Sequence, residues 1–246
     1  MIWNKTYLEE TDSTNRYLKE LAAAGAPEGT VIIAGRQSAG RGRLGRSFFS
    51  PEEKGIYMSI LLRPEITLER SVLITSLAAV AVARAMERIG GIRAKIKWVN
   101  DIFINNKKTC GILTEAGINA SEGTLDYAVL GIGINVGVME FPEELQDIAT
   151  SVSNECGFEV SKDVLIEEVL KELEEWYPTL WNGGFLEESR KRSLLLGKEI
   201  RVVDETHPEG GYPAKAVDIN ELGNLIIERD GRIQILNSGE VSIRFS

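Results

Sequence analysis

The sequence is short of the side chains that most metal sites and hydrolytic triads require. It has one histidine, His207, and two cysteines, Cys110 and Cys156. The cysteines form no CxxC and no framework spacing, which with a lone histidine argues against a zinc site. The histidine sits in Thr206-His207-Pro208-Glu209-Gly210-Gly211 and reads as a loop residue, which argues against a Ser-His-Asp hydrolase. Positive charge is also scarce. Lys and Arg total 28 against 37 Asp and Glu, a formal net charge of −9. Non-specific nucleic-acid binding is driven by phosphate neutralisation, so this balance disfavours it. Apolar runs are short, and none reaches membrane-spanning length. Met1-Ile2-Trp3-Asn4-Lys5 carries no basic-then-apolar signal pattern. The expectation is a cytoplasmic protein with no membrane partner. With 246 residues and 43% hydrophobic content, the chain can bury a core as one large domain or a large and a small one.

Against that background one stretch stands out. Gln37-Ser38-Ala39-Gly40-Arg41-Gly42-Arg43-Leu44-Gly45-Arg46 packs three glycines and three arginines into Gly40–Arg46. Glycine lets backbone approach a ligand closely, and arginine forks suit phosphate or carboxylate. Gly40, Gly42 and Gly45 match G-x-G-x-x-G, but a dinucleotide fold needs a helix to open there. Ser47 to Pro51 and Gly55 are poor helix starters, and Ile56–Leu62 reads as a strand. Strand–loop–strand also carries the protein-kinase glycine loop, but no H-R-D, D-F-G or V-A-I-K pattern follows. Both familiar readings fail on context.

In chain order, residues 2–9 predict a strand. Asp12 or Ser13 is a natural N-cap for a helix that Gly25 and Pro27 end. Ser13, Thr14 and Asn15 suit capping, and equally suit a small polar ligand at a helix start. Residues 67–89 predict a long packing helix stopped by Gly90-Gly91. Ala94–Ile104 alternates as two strand runs, and Asn105-Asn106 predicts a hairpin turn, since Asn tolerates positive φ. Tyr127–Val136 is a further strand whose glycines suggest close approach of a helix or ligand. Residues 161–181 predict an amphipathic helix and 185–196 a shorter one. From Gly197 onward, short alternating strands and Gly turns predict a small all-β module.

Several motifs then agree in one order over nearly the whole chain. They are Asp12-Ser13-Thr14-Asn15, Gln37–Arg43, Lys97-Trp98-Val99-Asn100-Asp101, Lys108–Glu115 and Gly131-Ile132-Gly133-Ile134-Asn135-Val136. The ending Gly239-Glu240-Val241-Ser242-Ile243-Arg244 fits as well. In these the sequence resembles the biotin–protein ligases. It departs from their pattern at Val99, where the family usually has proline, and at Phe48, where it often has tryptophan.

The resemblance implies an α/β (α+β) fold: a mixed-sheet catalytic domain over 1–196 and an SH3-like β-barrel over 197–246. It implies that biotin and ATP, with Mg²⁺, give biotinyl-adenylate, and that a lysine of a biotin carboxyl carrier domain then displaces AMP. Ser13, Thr14 and Gln37, with backbone of Gly40 and Arg41, would bond the ureido group of biotin, Asn15 and Gly42 would also contact biotin, and Trp98 would wall its apolar part. Arg41 and Arg43 would hold phosphates. Phe48 would stack near the adenine, and Asn100, Asn135 and Arg244 would lie near the nucleotide. Lys108 would sit between the biotin carboxyl and the α-phosphate, and Asp101 would orient the acceptor lysine. The magnesium ligands are not specified. Many relatives carry an amino-terminal DNA-binding helix-turn-helix domain. This chain begins at the catalytic part, so the expectation is no specific DNA binding; a homodimer is expected by analogy.

Two rivals remain. A lipoate–protein ligase shares the adenylate strategy, but lipoyl has no ureido ring to use Ser13, Thr14 and Gln37. A nucleic-acid-binding module could use Arg41, Arg43, Arg46, Phe48 and Phe49 as a basic–aromatic strip. The net charge and the distant motifs weigh against it.

Overall fold

The computed structural model describes residues 1–45, 48–138, 140–204, 210–237 and 241–245, with Leu44, Asp204 and 241–245 as backbone alone. Seven strands form one sheet. They are β1 (Asn4–Thr11), β2 (Thr30–Gln37), β3 (Gly55–Leu62), β4 (Lys95–Lys97), β5 (Asp101–Ile104), β6 (Lys107–Asn119) and β7 (Thr124–Asn135). Their spatial order is β1-β2-β3-β7-β6-β5-β4. Only β1 and β2 run parallel, so the sheet is mixed as expected. The β5–β6 connection is the Asn105-Asn106 turn, with both residues at positive φ.

Helices cover both faces. Helix α1 (Thr14–Ala23) buries Leu18 and Ala22 against Ile32, Leu61 and Val129. On the opposite face lie α2 (Val72–Gly90), α3 (Val152–Cys156), α4 (Lys162–Trp176) and α5 (Leu186–Arg192). Alternation in β3 explains the division: Ser59 and Leu61 face α1, while Met58 and Ile60 join the larger core with Leu73, Leu77 and Val80 of α2.

The helix boundaries differ from the sequence expectation for identifiable reasons. Helix α2 starts at Val72 rather than Thr67, because Thr67 makes an isolated bridge to Thr124. Helix α4 stops at Trp176 rather than Trp181. Pro178 lacks an N–H and continues the chain as a short 3₁₀ turn. Helix α5 ends at Arg192 rather than Leu196, because Ser193 pairs with Ile96 and Leu194 N–H donates to the Ile96 carbonyl. Helix α3 has no counterpart in the sequence reading.

The second unit is an antiparallel sheet. It contains β8 (Glu199–Asp204), β9 (Tyr212–Ile219), β10 (Leu225–Arg229), β11 (Arg232–Leu236) and β12 (Val241–Phe245), in the order β11-β10-β9-β8-β12. The β9–β10 turn holds Gly223 at φ +78° against Leu73 and Ser76 of α2. The Trp98 indole N–H donates to the Gly223 carbonyl at 2.8 Å, which ties the two sheets together. No helix among the described residues is long and apolar enough to cross a membrane.

Candidate functional site

The α1 face of the sheet is stripped of side chains at its centre. Gly111 pairs with Gly133, and Leu113 with Gly131, across β6 and β7. A Cβ on Gly131 would stand 2.2 Å from Asn15 Oδ1, and one on Gly133 would stand 2.6 Å from the Phe48 ring. These glycines therefore let the first turn of α1 and the Phe48 ring lie directly on backbone. Between them opens a cleft.

One part of the cleft lining is polar and uncharged. Ser13 occupies the N-cap position of α1 in extended backbone, but its hydroxyl makes no capping bond. It lines the cleft beside Thr14 and Asn15, and all three are buried. Gln37, at the end of β2, accepts from Thr14 N–H at 2.9 Å. Ser59 lies 2.7 Å from Thr14 Oγ1 and 2.6 Å from Asn15 Oδ1. Asn15 donates to Leu113 O at 3.1 Å and to Glu115 Oε2 at 3.0 Å, and Lys19 Nζ reaches Glu115 Oε1 at 2.8 Å. Burial alone would raise the Glu115 carboxyl. Hydrogen bonds from Lys19 and Asn15, with the Lys19 and Arg41 charges, outweigh it and hold the group below its ordinary value.

Another part is cationic. Arg41, Arg43 and Lys108 line it together with Gly42, Phe48 and Asn100. Arg43 Nη1 donates to Asn100 Oδ1 at 3.0 Å, and Asn100 Nδ2 donates to Asp101 Oδ1 at 3.0 Å. Asp101 Oδ1 lies 2.7 Å from Lys108 Nζ. The Gly/Arg loop and the Lys97–Asp101 motif are thus linked at this point. Lys108 is also fixed through its backbone: its N–H donates to Ile148 O, and its carbonyl accepts from Thr150 N–H. Burial pushes the Cys110 thiol upward, so it packs as an apolar residue within the larger core.

Several expected contacts fall elsewhere. Trp98 does not wall the cleft. It is buried against the second sheet, because its indole N–H takes the Gly223 carbonyl. Asn135 does not line the cleft either. Its amide donates to Thr150 O at 3.0 Å and so braces the segment alongside Lys108. Asp101 and Gly40 stand behind the lining rather than in it: Asp101 on Lys108, Gly40 through its carbonyl to Phe48 N–H. The Arg244 side chain, Arg46 and His207 lie outside the described residues. The sequence reading missed Ser59, Lys19 and the role of Glu115. Ser59 had a signal: it is a small hydroxyl side chain between Met58 and Ile60 in an otherwise apolar stretch of β3. Lys19 had none, because its partner is distant in sequence.

A mixed sheet with this cleft, joined to a small antiparallel sheet, matches a known class. Residues 7–135 match the model of the Biotin/lipoate A/B protein ligase family, and residues 195–244 match that of the Biotin protein ligase C terminal domain. The chain belongs to the biotin protein ligase family. It is 38% identical over 244 residues to the bifunctional ligase/repressor BirA of Bacillus subtilis, covering 96% of this chain and 73% of that one. It is 29% identical to the biotin–[acetyl-CoA-carboxylase] ligase of Mycobacterium tuberculosis, over 94% of this chain and 86% of the relative. Among solved structures, the biotin protein ligase from Aquifex aeolicus in complex with biotin and ATP superposes with a TM-score of 0.85 and 33% identity over all of both chains.

Proposed function

We propose that the chain activates biotin with ATP as biotinyl-5′-AMP and transfers the biotinyl group to a lysine of a biotin carboxyl carrier domain. The observation that carries this is one cleft lined both by neutral hydrogen-bonding groups, Ser13, Thr14, Asn15 and Gln37, and by three cations, Arg41, Arg43 and Lys108. A carboxylate and a triphosphate repel each other, and fixed positive charge in the cleft offsets that. In the first step the biotin carboxylate attacks the α-phosphorus and pyrophosphate leaves. Arg41, Arg43 and Lys108 neutralise the charge that builds on phosphate oxygens. In the second step the acceptor amine attacks the anhydride carbonyl, AMP leaves, and Asp101 takes the ammonium proton.

Magnesium fits as an ion brought on the triphosphate. Among the described residues no three His, Cys, Asp or Glu side chains cluster to hold a metal, and Mg²⁺ keeps several waters and few protein ligands in such reactions. The relatives' names and the complex with biotin and ATP support biotin over lipoate. The test is pyrophosphate release with ATP and Mg²⁺, followed by the mass of a carrier domain. Release with biotin and one biotinyl group added to the carrier is expected. Release with lipoate and not biotin would overturn the reading.

A further inference from the structure

Beside the uncharged polar part of the cleft runs a row of hydrogen bonds whose direction is fixed from one end. At the far end Lys19 Nζ is 2.8 Å from Glu115 Oε1. An ionised carboxylate only accepts, and the Leu113 carbonyl only accepts. Both lie at hydrogen-bond distance from one atom of the Asn15 carboxamide. That atom must be the NH₂ group, so the Asn15 oxygen must face Ser59.

The rest follows from counting protons. Ser59 has one O–H and lies 2.6 Å from Asn15 Oδ1, which cannot donate. The Ser59 proton therefore goes to Asn15. Thr14 Oγ1 is 2.7 Å from Ser59 Oγ. With the Ser59 proton committed, only the Thr14 proton can join those two oxygens. Thr14 Oγ1 also lies 3.1 Å from Gln37 Oε1, which takes Thr14 N–H at 2.9 Å and has a second lone pair, but the shorter contact to Ser59 has no other proton to fill it. Thr14 thus donates inward and keeps lone pairs for the cleft. Gln37, with its oxygen used, keeps its NH₂ as a donor, whose contact to Ser50 Oγ is long at 3.4 Å.

We infer that Lys19, Glu115, Asn15 and Ser59 are positioning residues that set Thr14 as an acceptor beside Gln37 as a donor, so that this part of the cleft selects an acid carrying an N–H next to a C=O. This rests on the proposed biotin activity and goes further, by assigning ligand selectivity to Asn15 and to three side chains, Ser59, Glu115 and Lys19, that are not in the lining. The sheet is built for it. Ser59 pairs with Gly131 and Gly131 with Leu113, so Asn15 lies across three adjacent strands on the one position without a side chain.

The test compares biotin with an analogue in which the ring N–H meeting Thr14 is replaced by oxygen. Binding is measured by calorimetry for wild type, Ser59→Ala, Asn15→Leu, Glu115→Ala and Lys19→Met, with thermal unfolding as the folding control. Wild type should favour biotin by on the order of 10- to 100-fold, because the oxygen analogue sets lone pair against lone pair. In the folded variants biotin should weaken while the analogue changes little, so that the ratio shrinks. Ser59→Thr, which keeps the hydroxyl, should retain the wild-type ratio. If every folded variant weakens both ligands equally and the ratio holds, the relay is wrong while the activity stands. If wild type binds no biotin at all, the proposed activity falls, and this inference with it.

Discussion

Lys108 Nζ and Asp101 Oδ1 stand 2.7 Å apart, so two groups assigned to successive chemical steps share one ion pair. The pair is also joined to Arg43 through Asn100. The Lys108 charge is therefore balanced before any substrate arrives, and a phosphate that draws Lys108 away leaves Asp101 for the incoming amine.

Separate half-reactions should resolve the pair. Lys108→Ala should slow pyrophosphate release by roughly 10²- to 10³-fold, the usual effect of losing one donor to developing charge. Asp101→Asn should keep most of that step, yet slow transfer from preformed adenylate by about 10²-fold, as expected for a lost general base. The free acceptor amine has a reference pKa of about 10.4 and is protonated at neutral pH, so it needs that base. Equal loss of both steps in Asp101→Asn would make its role one of holding Lys108 only.

Retention of the intermediate should depend on Arg43. Its guanidinium spans from the loop to Asn100. In Arg43→Ala the adenylate should leave the enzyme on the order of 10- to 100-fold faster in a filter-retention assay, the scale of a lost charged hydrogen bond. Arg43→Lys should leak as well, since a point charge does not replace the fork. An unchanged off-rate would remove Arg43 from the binding set.

Trp98 should matter for stability and not for biotin. Trp98→Phe keeps an aromatic ring in place but leaves the Gly223 carbonyl without its donor. A cost of roughly 1–3 kcal/mol in urea unfolding is expected for such an orphaned group. The KM for biotin should stay within error of wild type. A large KM shift would return Trp98 to the cleft wall.

The acid limb of stability should carry a Glu115 contribution. Its carboxyl is held below the ordinary value of 4.5, against burial, by Lys19 and Asn15. A depressed carboxyl stabilises the fold fully above its unfolded pKa and loses that contribution as pH falls through the folded one. The difference in urea midpoint between wild type and Glu115→Gln should therefore be constant near neutral pH and shrink below about pH 4.5. A difference that grows on acidification would reverse the sign and refute the assignment.

Much of this was legible in the sequence. Strands and the Asn105-Asn106 turn follow from alternation and positive-φ tolerance, and the motif residues Ser13, Thr14, Gln37, Arg41, Arg43 and Lys108 converge on one cleft. What was not legible depends on partners far along the chain. Trp98 could not be assigned because its acceptor is 125 residues away. Asn135 is spent on a loop carbonyl that periodicity does not reveal. Helix ends at Val72 and Arg192 were set by stray strand pairing at Thr67 and Ser193, which local propensity does not contain.

The bare backbone at Gly131 and Gly133 limits how this enzyme can be re-engineered. A floor without side chains has nothing left to trim, so room for a bulkier acid has to come from walls such as Phe48 and Leu113. The reverse change is easy. One methyl group at position 131 would collide with Asn15, which three hydrogen bonds hold in place, and would displace it without replacing a single polar or charged side chain.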